Sequence, residues 1–303
     1  MANITVAEVD VAIPAFWSST ALGALKANTV MAQLVRRDFD AVVASVGDTV
    51  NVTRRGVVSV NDKAANGTVT LQTPTASKIP IVLDQHKEVS FLVEDVASAK
   101  AIDDAVNYVE DAAIAIAEGV DLALLAMFDD CGAEVGDHSA VMSSGITVQT
   151  RVALNQMKCP QAGRYMVLGP NAEGAILLEE KFTSSDFGGD VSKVAIITAN
   201  LGHKYGFDWF MDQQVVVDNT DDMHCLAFHR DAFVLVTRLL ELPGAGTGAV
   251  GSAVSEDGVA MRAIRAYNPT YLGTQMTVDM LYGVKPLRAD THAVQVSVDD
   301  ATA

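Results

Sequence analysis

The sequence predicts an α+β fold, on three observations. Between Gly47 and Val93 apolar residues recur at every second position: Val50 and Val52, Val58 and Val60, Val69 and Leu71, Ile79, Ile81 and Leu83, then Val89, Phe91 and Val93. That is the period of strands with one covered face. From Ile102 the spacing changes: Val106, Val109, Ala113, Ile116, Val120 and Leu124 follow three or four apart, the stripe of an amphipathic helix. Alternation returns at Met276, Val278, Met280 and Tyr282, and again at Val294, Val296 and Val298. A long ribbon feeding a long rod is poor material for a compact active site. It suits a protein that reaches toward its neighbours.

In chain order, residues 1–18 read as extended, with Ile13-Pro14 a turn step, and Leu22 to Leu34 as a short helix. Gly47-Asp48 opens the ribbon, Asn66-Gly67 marks its hairpin tip, and Pro74 and Pro80 suit edge strands. The helix spans about Asp103 to Phe128, roughly 40 Å at ~1.5 Å per residue. Asp95 and Ser98 are its candidate N-caps; Asp103, Asn107, Glu110, Asp111, Glu118 and Asp121 form its polar face, and Gly119 is a weak point. Cys131-Gly132 and Gly136 to Gly145 read as loop. Beyond Val148, Arg164 to Leu168 is a strand, Asn171 to Glu180 a short helix, and Ser184 to Gly189 a loop. Trp209 to Val217 and Cys225 to Leu239 are strand or short-helix pieces. Pro243 to Gly258, rich in Gly, Ala and Ser, reads as a loop.

The chain has 303 residues, enough for two domains or one elongated body, with 50% hydrophobic and 19% charged residues. A mean hydropathy of +0.23 implies apolar surface covered by other chains. No apolar run reaches the ~18 residues of a membrane span, and no secretion signal opens the chain. Cys131, Cys159 and Cys225 are odd in number and without CxxC spacing, which implies a reducing compartment. The net charge is −17, unevenly placed: residues 1–100 hold 9 Lys+Arg against 10 Asp+Glu, leaving 12 against 28 for the rest. The ribbon is slightly basic through Arg54, Arg55, Lys63, Lys78 and Lys87, against Asp62, Asp84 and Glu88. These five cations are candidate contacts to the acidic body of another copy. A nucleic-acid binder is disfavoured, because the chain lacks a basic patch.

Catalytic patterns fail on spacing. His224, Cys225 and His229, with His203 upstream, have the types a zinc site needs, but His224 and His229 stand five apart and misalign on a strand or a helix. A soluble metal-dependent enzyme using His224 and His229 is the alternative from another class. Gly246 to Gly251 matches GxGxxG without the helix that would hold a pyrophosphate. Neither a P-loop nor a GxSxG elbow occurs, and Asp129-Asp130 and Asp221-Asp222 lack an EF-hand ladder. The expectation is no enzyme, no cofactor and no metal.

Several segments together resemble the major capsid (coat) proteins of tailed bacteriophages, the Hong Kong 97-like fold. They are Ile13 to Ser18, Arg36 to Val52 ending in Val46-Gly47-Asp48-Thr49-Val50, and the ribbon closing on Phe91-Leu92-Val93-Glu94-Asp95 with the helix after it. Ala227 to Phe233 and Leu281-Tyr282-Gly283-Val284-Lys285-Pro286-Leu287 follow. Their order and spacing carry the resemblance. It implies an N-terminal arm at 1–46, an extended β-hairpin E-loop at 47–94, and a peripheral domain with the spine helix at 95–147. An axial domain at 148–258 and a peripheral β-sheet return at 259–303 complete it. It implies an icosahedral head shell of hexamers and pentamers enclosing packaged double-stranded DNA without sequence-specific binding. Scaffolding protein and portal are assembly partners, a decoration protein is an optional one, and a membrane is not a partner. The protein would reside in the virion shell, and in the host cytoplasm during assembly. An encapsulin-like nanocompartment shell is the alternative with the same fold. Lys63, Lys78 and Asn268 are the only residues that could be nominated for the covalent joins of some relatives, and no cross-link is predicted.

Overall fold

A computed structural model describes residues 30–38, 49–56, 58–95, 104–183, 201–218, 222–244, 247–256 and 259–300. The expectations for residues 1–29, Gly47-Asp48, Ser98, Ile102-Asp103 and the 184–189 loop lie outside the described residues. The elements begin with α1 (Met31–Leu34), β1 (Thr49–Arg55), β2 (Ala76–Val82), β3 (Gln85–Glu94) and the long helix α2 (Asp104–Leu125). Next come a 3-10 turn at Ala126–Asp130, β4 (Ala133–Asp137), α3 (Ser144–Gln156), β5 (Arg164–Leu168), α4 (Pro170–Leu178) and α5 (Glu180–Thr183). β6 (His203–Lys204), β7 (Phe207–Met211), β8 (Asp222–His229) and β9 (Phe233–Arg238) follow. The chain ends in β10 (Ala249–Glu256), β11 (Val259–Asn268), β12 (Gly273–Pro286), α6 (Ala289–His292) and β13 (Ala293–Asp299).

Among the described residues the strands form three sheets: β1 pairs with β2; β10-β11-β12-β3 form a second sheet, with β9 also on β12; β4-β13-β8-β5-β7-β6 form the third. The second sheet rests on α2. Met276, Val278, Met280 and Tyr282 alternate inward from β12, and Ala113, Ile116, Ala117, Val120 and Leu124 meet them, all but Met276 at 2% exposure or less. Each such apolar side chain contributes roughly 1.5–3 kcal/mol by leaving water. Gly119 is tolerated in the helix, where its carbonyl accepts the Tyr282 hydroxyl at 3.3 Å. On the opposite face Asp279, 3% exposed, takes Arg262 Nε at 2.9 Å and Nη2 at 2.5 Å, and His86 Nε2 at 3.0 Å. That cluster ties β3, β11 and β12 together.

The third sheet is built differently. β5 and β8 are buried along nearly their whole length, so their sequences run apolar without alternation. β13 lies between β8 (antiparallel) and β4 (parallel).

Four expectations need correction. Gly136-Asp137 and Ser144-Gly145, read as loop, instead belong to β4 (Ala133–Asp137) and α3 (Ser144–Gln156). Ser143 caps α3 by accepting the Ile146 N–H at 3.4 Å, and its buried face includes Thr147 and Thr150, both 0% exposed, whose hydroxyls bond back to Ser143 O and Ile146 O. Residues 249–256 are a strand, β10, paired with β11 from Ala249↔Ala266 to Glu256↔Val259. Asp121 is not on the polar face but buried at 2%. The sheets also cut across the expected segments. β3 belongs to the second sheet rather than to the ribbon, β10 joins that sheet, and β4 and β13 belong to the third.

Candidate assembly interface

The ribbon has a root that packs on its own chain and an outer arm that does not. In the root, β1 and β2 run antiparallel from Thr49↔Val82 to Arg55↔Ala76. Their inward residues Val50, Val52 and Ile81, with Leu83, are buried against Val234 and Val236 of β9 and against Leu287. Gly283 of β12 permits this approach, since a Cβ there would lie 2.2 Å from Val82 O. Pro80 sits in this ladder opposite Asn51, harmless in a sheet of two edge strands. Arg54 Nη2 meets Asp290 Oδ2 of α6 at 2.8 Å.

Beyond Gly56, whose N–H reaches Thr75 O at 2.7 Å, the ladder stops. Residues 58–75 run extended to a turn closed by Gly67 N–H to Ala64 O at 3.0 Å, with Asn66 at φ 64°. Asn tolerates that left-handed backbone better than most residues, so the sequence signal for the tip holds. The two halves are clipped by one side chain: Gln72 Oε1 accepts the Ser59 N–H at 3.0 Å, and Gln72 Nε2 donates to Ser59 O at 2.5 Å. Val58, Val60, Val69 and Leu71 are 62%, 96%, 68% and 91% exposed. Four such side chains on one extended arm are a contact surface with nothing on it in the single chain.

Of the five nominated cations, the structure gives Arg54 a partner in its own chain. Arg55, Lys63, Lys78 and Lys87 are exposed and have no ion pair among the described residues. Arg55, Lys63 and Lys78 are spread along the ribbon and Lys87 lies on β3, so they are not gathered into one patch. The uncovered apolar arm was legible only in part, because alternation foretells one covered face without saying what covers it.

The catalytic alternatives find no shared site. His224 and His229 leave β8 in different surroundings: His224 stacks on Phe128 at 4.3 Å and meets Gln295 Nε2 at 3.0 Å, while His229 packs edge-on against His292 at 5.6 Å. Among the described residues no group of three His, Cys, Asp or Glu could hold a metal ion. Burial pushes the thiols of Cys131 and Cys225 up to about 12, far from a nucleophile's range. The GxGxxG match runs into strand β10 instead of a helix. No helix among the described residues is long and apolar enough to cross a membrane.

No family model matches the sequence, and no curated protein does. Solved structures do match. A chain of the structure of mycobacterium phage Che8 is similar at 20% identity with a TM-score of 0.66, covering 88% of this chain and 90% of that one. One from the capsid of cyanophage P-SCSP1u matches at 17% and 0.63, covering 85% of each. A virus-like particle from Pyrococcus furiosus matches at 10% and 0.50, covering 92% and 97%. The second of these comes from a capsid and the third from a virus-like particle. The chain thus has the α+β fold found in phage capsid structures.

Proposed function

We propose that this chain is the major capsid protein of a tailed bacteriophage. It assembles as hexamers and pentamers into the icosahedral shell that encloses packaged double-stranded DNA. The observation that carries the reading is the outer arm at 58–75, an extended apolar surface with no cover in its own chain, on a body with the fold of phage capsids. In this reading the ribbon is the E-loop, α2 the spine helix, the second sheet the body of the peripheral domain, and the third sheet that of the axial domain. Arg55, Lys63, Lys78 and Lys87 contact a neighbouring copy, and Arg54 steadies the root. Scaffolding protein and portal take part in assembly. The acidic surface, part of a net charge of −17, lets the genome slide past without gripping it.

The similarity to a virus-like particle supports a second reading, an encapsulin-like shell around protein cargo. Expression alone and with the neighbouring genes, followed by negative-stain microscopy, tests both. Closed shells or hexameric sheets are expected; a persistent monomer or dimer at high concentration overturns both readings. Shells that enclose a co-expressed protein and no DNA favour the second. Deleting Ser59 to Gln72 is expected to leave a folded body that forms no closed particle. That deletion spares Val52, Ile81 and Leu83, which belong to the core.

A further inference from the structure

We propose that Asp121 is a proton-operated clamp, biased by the buried Asp212, that holds the segment Val30–Val35 against the long helix. Asp121, on α2, is 2% exposed, and Asp212, just past β7, is 5% exposed. Asp121 Oδ2 accepts the Val30 N–H at 2.6 Å, and its Oδ1 that of Ala32 at 3.1 Å. α1 is therefore capped from another helix, since Val30 at its N-cap has no side-chain acceptor. Met31, Ala32, Leu34 and Val35 are buried against the same core. Asp212 Oδ1 accepts the Gln214 N–H at 2.8 Å, while its Oδ2 is buried with no hydrogen-bond partner among the described residues.

Two buried carboxylates that feel each other do not both ionise cheaply. Burial, then the charge of Asp212, pushes Asp121 up to about 7 against the pull of the backbone donors. Burial raises Asp212 as well. Among the described residues no cation pairs with Asp121, and Arg36 and Arg37, just beyond α1, are half-buried. α1 carries no ionisable side chain, β12 presents Tyr282, and Glu118 of α2, Asp129 and Asp130 of the 3-10 turn, and Lys87, Glu88 and Glu94 of β3 are exposed. Asp121 is raised from an ordinary 3.8, so the docked state binds the proton more tightly than the released one. Docking is firmest near pH 4, weakens as pH rises, and is weakest above about 7, where the Asp121 charge is buried. This inference does not depend on the shell reading.

Hydrogen exchange of the full chain at pH 6, 7 and 8, corrected for intrinsic rates, tests it on peptides spanning Val30 to Arg36. Protection is expected to fall by about tenfold per pH unit while Asp121 still holds its proton, and by less above about 7. Asp121→Asn is expected to abolish that pH dependence, and Asp212→Asn to move its midpoint down. Equal protection at pH 6 and 8 in the natural chain, or a surviving pH dependence in Asp121→Asn, overturns the clamp. Where Asp121→Asn does not fold, an unmoved midpoint in Asp212→Asn overturns it.

Discussion

Gly283 shows how one residue positions the ribbon root. It needs no unusual φ; it is a glycine because β12 passes directly beneath the end of β2, where a methyl would strike Val82 O. Gly283→Ala is expected to cost about 1–3 kcal/mol, read as a lower thermal midpoint, and to lift the ribbon root, read as lost particle formation. Two ion pairs make a contrast in magnitude. Arg54 and Asp290 are 32% and 57% exposed, so Arg54→Ala is expected to cost under about 1 kcal/mol in denaturant titration. Asp279 is 4% exposed at its side chain, and Asp279→Ala strands Arg262, at about 3–5 kcal/mol. Asp121 was misread from sequence for a physical reason. Its partners lie 91 and 89 positions away, and no local pattern announces a cap supplied from another helix.

At the element scale, strands with one covered face were legible and those without were not. β12 alternates because one side meets the core, and the α2 stripe is visible for the same reason; β13 alternates in sequence because Gln295 and Ser297 stand between its valines, although Ser297 is itself buried. α3 hides its buried face because Thr147 and Thr150 occupy it and satisfy their hydroxyls on the preceding turn. β10, at a sheet edge and built from Gly, Ala and Ser, has no deep face to encode; the Asp257-Gly258 pair between β10 and β11 was its one available signal. In the ribbon the root residues and the arm residues share one alternation, and only the structure separates them. Replacing Val60 and Leu71 together by Ser is expected to leave the thermal midpoint of the unassembled chain unchanged within about 0.5 kcal/mol. The same variant is expected to lose particles by light scattering. A matching loss of midpoint would mean that the arm packs on its own chain.

For the whole molecule, charge and topology act in opposite directions. A net charge of −17 makes copies repel, and the few basic ribbon residues do not cancel it. Raising salt from about 20 to 150 mM shortens the screening length from roughly 20 to 8 Å, so the concentration needed for assembly is expected to fall. A rise instead would place attraction between the basic ribbon and an acidic surface above the general repulsion. The two larger sheets share one continuous core, so the body is ready before any neighbour arrives. The missing ladder beyond Gly56 then has a geometric consequence. With a glutamine clip between its halves, the arm can change curvature without breaking rungs, so in the proposed shell the same polypeptide fits junctions of different curvature.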